Sequence, residues 1–167
     1  LYSVTDMPAS YLPHLFAIKL PEIMLALGLA GTAGALVAIA RRDLPLNRRA
    51  AYVLVTFAAI LPVLLAMVAH PAFYNGLRHF VFVVPPFAVL GGLAGAWLFE
   101  RMRSFGKVAA AAVTAVFVGS LALPVSDMVQ LHPYQYTAFN WASGGVRMAR
   151  DNYMLDYWGL AFKQAGE

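Results

Sequence analysis

Four apolar runs, at residues 21–40, 50–69, 80–99 and 108–125, constrain what this chain can fold into more than any other feature. Each is close to the roughly 20 residues that a helix rising about 1.5 Å per residue needs to cross a hydrocarbon core. None presents the polar face that a helix in a soluble bundle turns to water. The chain is 61% hydrophobic and only 12% charged. A soluble domain carries about twice that charge. The expected fold is therefore an all-α integral membrane protein with four transmembrane helices.

Loop charge predicts the topology. The first connection, residues 41–49, holds Arg41, Arg42, Arg48 and Arg49, and the third, residues 100–107, holds Arg101, Arg103 and Lys107. The second, residues 70–79, holds Arg78 alone. By the positive-inside rule the first and third loops are cytoplasmic. The second loop and both termini then face the opposite side. A net charge of +4 gathered in short inter-span clusters reads as topology and not as a phosphate-tracking surface, so no nucleic-acid partner is expected.

The segments outside the spans predict two interfacial pieces. Residues 7–20 mix prolines, aromatics and Lys19, and read as a short interfacial or re-entrant helix. Residues 126–167 carry Tyr134, Tyr136, Trp141, Tyr153, Tyr157 and Trp158. Such rings favour headgroup depth. The expected division is residues 1–125 for the interfacial helix and membrane region, and 126–167 for an outer-facing interfacial tail. Leu1 is not followed by a charged n-region and an apolar stretch, so no signal peptide is expected. The chain reads as a piece of a longer protein, or as one whose first residues lie outside it. Gly28, Gly31 and Gly34 in the first span, with the G-x-x-x-G pair Gly91 and Gly95 in the third, predict close helix packing.

Few residues point to chemistry. The chain has no cysteine, and its four histidines (His14, His70, His79, His132) show no metal-ligand spacing, so no metal site or cofactor is expected. Arg78, opening the third span, suits a bidentate contact to a lipid phosphate, with His79 adding a hydrogen bond or a charge. The plain alternative is an anchor that snorkels to water. Lys19 either pairs with Glu22, faces an anionic headgroup or anchors the first span. Asp156, between Tyr157, Trp158 and Leu155, resembles a sugar-binding surface, or is a carboxylate bonded to backbone. No phosphate loop, nucleophile elbow or H-E-x-x-H motif occurs. No span carries an ionisable residue at mid-depth, which argues against a channel or transporter.

Several motifs occur in a familiar order: Tyr11-Leu12-Pro13, Ile18-Lys19-Leu20-Pro21-Glu22, Tyr74-Asn75-Gly76-Leu77-Arg78-His79-Phe80 with Val84-Pro85-Pro86, His132-Pro133-Tyr134-Gln135-Tyr136, Phe139-Asn140, Gly144-Gly145 and Asp156-Tyr157-Trp158-Gly159. Together they resemble the later part of bacterial membrane glycosyltransferases of the protein-mannosyltransferase-like group (family 39), which have the GT-C architecture. The resemblance spans about residues 11–162. It implies an inner-membrane protein that receives a polyprenyl-phosphate-linked sugar. Arg78, His79 and Lys19 would lie near the carrier phosphate, and Tyr74, Asp156, Tyr157 and Trp158 at an acceptor or sugar surface. Such enzymes keep their catalytic acid in the first outer loop, upstream of the region resembled, so no catalytic residue is assigned here and this chain alone is expected to be inactive. The alternative is a non-catalytic accessory subunit packed against other membrane-protein subunits.

Overall fold

The computed structural model describes residues 8–41, 43–70, 76–153, 155 and 159. Among them all regular structure is helical. Helix α1 (Tyr11–Lys19) precedes four long helices, α2 (Glu22–Ala40), α3 (Leu46–Ala69), α4 (Val84–Phe105) and α5 (Lys107–Gln130), and the chain ends in the short α6 (Gly145–Ala149). A 3-10 helix, Gly76–Val83, leads into α4, and two single 3-10 turns, Gln135–Thr137 and Trp141–Ser143, lie between α5 and α6.

Local chemistry sets these boundaries. Leu20, forced extended by the following proline, ends α1, and Pro21 sits at the N-cap of α2. Pro45 does the same for α3. Gly106, at φ +130°, serves as both the C-cap of α4 and the N-cap of α5. That conformation is open to glycine and strained for other residues, so the two helices turn back on one another through a single residue.

The four long helices are each apolar and long enough to cross a membrane, and two of their edges differ from the sequence expectation. Pro85 and Pro86 fall inside the third apolar run, residues 80–99. They lie within one helical stretch, Leu77–Phe105, at the point where its 3-10 turns give way to α4, so that a missing N–H there falls in the first α-helical turn and costs no helical hydrogen bond. The preceding residues wind as 3-10 helix, and α4 runs on to Phe105. Likewise α5 continues beyond residue 125 to Gln130 and carries Pro124 in its interior.

The most extensive helix contact joins α2 to α4. Gly28 and Gly31 of α2 and Leu90, Gly91 and Gly95 of α4 are buried along this seam. A β-carbon on Gly31 would overlap the Leu90 carbonyl, and one on Gly28 would enter the Phe87 ring. Small residues let the two backbones touch, the route to helix association where lipid offers no hydrophobic driving force. Leu90, fully buried, joins Ala35 and Ala59 at the meeting of α2, α3 and α4.

Elsewhere the long helices point outward. No more than 22% of the most apolar window of any of them is buried, and for α5 the figure is 0%. Leu54, Phe57, Leu65, Val118 and Val125 are all more than half exposed. Surfaces of that kind require lipid or further protein, and the chain is a multi-pass membrane protein.

Replacing Gly31 by Val forces α2 off α4 and should cost about 2 kcal/mol or more in mixed-micelle unfolding. Gly34→Ala, at a position where a β-carbon meets nothing within 4 Å, should stay within about 0.5 kcal/mol of the parent. Equal stability of the two variants would refute the backbone-contact account.

Candidate functional site

One end of the bundle carries α1, the 3-10 helix and the segment after α5, and is called here the cap end. Leu12 of α1 packs with Ala66 near the end of α3, and Leu77 of the 3-10 helix closes over both. Leu15 and Ile18, on the same helix, pack with Phe139 and Ala149 from the far end of the chain.

The cap is held by a reciprocal exchange of polar groups. Like any helix, α1 ends with carbonyls that its own turns cannot satisfy. Asn140, 7% exposed, supplies the donors: its Nδ2 reaches the carbonyls of Ala17 at 2.6 Å and Leu20 at 2.9 Å. Its backbone N–H donates to Ile18 at 2.8 Å, while its Oδ1 accepts from the Ser143 amide at 3.0 Å. In the other direction, Lys19 Nζ donates to the carbonyls of Ala138 at 2.9 Å and Tyr136 at 3.2 Å. The ammonium lies 3.6 Å over the Phe139 ring centroid, a cation–π contact. Glu22 Oε1 accepts from the Ala142 amide at 2.8 Å, and His14 Nε2 shares a 2.6 Å hydrogen bond with the Tyr153 hydroxyl.

Between this cap and the last turns of α5 lies a cleft of about 250 Å³. Lys19, Glu22, Asp127, Gln135 and Trp141 are its chemically active lining. Burial pushes the Lys19 ammonium down to about 8 from the ordinary 10.5. No carboxylate among the described residues lies within ion-pair distance of it. Lys19 and Glu22 do not pair: each is engaged by backbone of the later segment. Below the cleft an apolar groove of about 560 Å³ runs between α2, α4 and α5.

Of the residues expected to bind lipid phosphate, Lys19 alone lines the cleft. Arg78 and His79 are exposed on the 3-10 helix, with Arg78 Nε 3.4 Å from His79 Nε2. They sit at the same end as Lys19, because Leu77 beside them packs on α1. Tyr74, Asp156, Tyr157 and Trp158 lie outside the described residues. Sequence reasoning missed Asn140, Asp127, Gln135 and Trp141 as site residues, since nothing in their local spacing reveals partners that lie elsewhere in the chain.

Compared with known proteins, the chain matches no family model, no curated protein and no solved structure.

A Lys19 amine labelled with carbon-13 methyl groups should titrate near pH 8 by NMR, and a midpoint at the ordinary lysine value would show a water-exposed ammonium. The folded pKa lies below the unfolded one, so burial penalises the charged form at low pH. The cap should therefore gain stability as pH rises from about 8 toward 10.5, read as slower exchange of the Asn140 amide relative to its intrinsic rate. Asn140→Ala, which strips donors from the α1 carbonyls, should destabilise the cap by about 2 kcal/mol, seen as faster proteolysis between α5 and α6.

Proposed function

We propose that this chain forms the lipid-carrier side of a GT-C membrane glycosyltransferase that takes sugar from a polyprenyl-phosphate donor. The single observation that carries this reading is Lys19. Its ammonium is partly buried, has no carboxylate within ion-pair distance among the described residues, and stands above an apolar groove. A charge taken out of water is costly unless an opposite charge meets it. A lipid phosphate with its chain in the groove would supply that charge from the membrane side. The motif resemblance given above supports the same assignment.

In this reading the cap end faces the periplasm of a bacterial inner membrane, as the charges of the first and third loops favour. Sugar transfer leaves the carrier phosphate with an additional negative charge. Lys19 stabilises that charge electrostatically, without a covalent intermediate. Arg78, exposed at the same end, offers a planar fork to phosphate oxygens as they approach or leave. Activation of the acceptor is assigned to the acidic residue that such enzymes carry upstream, so transfer is proposed for a protein that holds both parts.

A second reading, an accessory subunit in a larger membrane assembly, is favoured by α5. No residue of its most apolar window is buried, which suits lateral packing on a neighbouring helix.

The test is transfer of radiolabelled sugar from polyprenyl-phosphate donors by the full-length protein in membranes. Arg78→Ala should lower the rate at least about tenfold, the loss of a charge-assisted phosphate contact, with membrane insertion intact. Transfer at the parental rate removes Arg78 from the phosphate site. Adding the polyprenyl phosphate alone should raise the Lys19 pKa, and an unmoved titration would remove Lys19 as well.

A further inference from the structure

The cleft and the groove adjoin. Pro21 lines both, and α5 lines both on one face, giving Leu121 to the groove and Pro124 and Asp127, one and two turns on, to the cleft. Along α4 the groove extends from Ala88 to Phe99. That is about 16 Å of helix, roughly half the hydrocarbon core. Gly91, Gly92 and Gly95 line it, and a β-carbon on Gly92 would meet nothing within 4 Å.

The charges in the cleft narrow what its head can be. Among the described residues Lys19 is the one basic residue lining it, against the two carboxylates of Glu22 and Asp127. Neither carboxylate is within ion-pair distance of Nζ, so positive and negative groups stand apart inside one cavity. A purely anionic head satisfies Lys19 and leaves both carboxylates unmatched, and a purely cationic one leaves the ammonium unmatched. A dipolar head can match both at once. The exposed Trp141 ring at the cleft adds a face that attracts cations and suits headgroup depth.

We propose that cleft and groove together bind a zwitterionic phospholipid of the ethanolamine type, one acyl chain along the groove, the phosphate beside Lys19 and the primary ammonium against Glu22 and Asp127. This rests on Lys19 being a phosphate contact, the basis of the functional reading above, and not on sugar transfer.

Three single-chain probes with the same acyl group test it: lysophosphatidylethanolamine, lysophosphatidylglycerol and lysophosphatidic acid, titrated into the purified chain in neutral detergent and counted by native mass spectrometry. The ethanolamine probe should bind at one site about tenfold more tightly than the other two, since only it satisfies both signs of charge. The double variant Glu22→Gln/Asp127→Asn should abolish that preference, and the new amide at position 22 still accepts from the Ala142 amide. Gly92→Leu should weaken all three probes by filling the groove. Gly119→Leu, also at a position open to at least 4 Å but outside the groove, should change nothing. Equal or tighter binding of the glycerol or monoester probe by the parent overturns the proposal, as does a preference that survives the double variant. If all three probes bind alike and all weaken in Lys19→Met, the ammonium site falls and the phosphate contact stands. If Lys19→Met affects none of them, both fall.

Discussion

The contact on which the rest of the molecule depends is made of backbone: the Leu90 carbonyl of α4 rests against Gly31 of α2, with Gly28 and Gly91 alongside. In lipid, apolar side chains gain nothing by leaving one apolar neighbour for another, so helices associate through close packing. Drawing α2 and α4 together buries Leu90 against Ala35 and Ala59 and aligns α3 behind them. It also leaves α5 outside, touching α4 and, less extensively, α2. The groove is the space between a tight pair and a looser third helix, and the cleft is that space continued past the helix ends.

The spans were legible because a bilayer imposes a length and a polarity that no soluble fold shares, and residues 21–40 and 50–69 meet both. Edges were harder to read. Adjacent prolines at 85 and 86 fit either a kinked span or a fresh helix start, and the choice depends on how the preceding residues are packed. In the structure the prolines fall where 3-10 turns pass into α4, inside one helical stretch from Leu77 to Phe105. Lys19 was legible as a charge at a membrane edge. Its environment was not, because the carbonyls it meets belong to residues 136 and 138, more than 110 positions away. Asn140 left no sign of its role for the same reason: an asparagine that completes a distant helix end has no periodic signature.

Lys19 and Asn140 divide the work at the cap. Asn140 is wholly occupied with backbone and serves architecture. Lys19 donates to two carbonyls and still carries a charge that the described protein does not neutralise. In the sequence the first stands only within the Phe139-Asn140 motif, and the second among the residues expected near a lipid phosphate. The fold makes one the reason that the other is partly buried, because Phe139, beside Asn140, supplies the ring under the ammonium.

The clasp between α1 and Asn140 also bears on how the chain is made. Its two halves are separated by 120 residues or more, with all four long helices between them. During synthesis the carbonyls at the end of α1 lack these donors until the last long helix and the segment after it have been made. Closure of the cap thus reports that every intervening helix has been placed on its proper side. A chain with one helix left out would carry Asn140 to the opposite side, and the carbonyls at the end of α1 would never meet it.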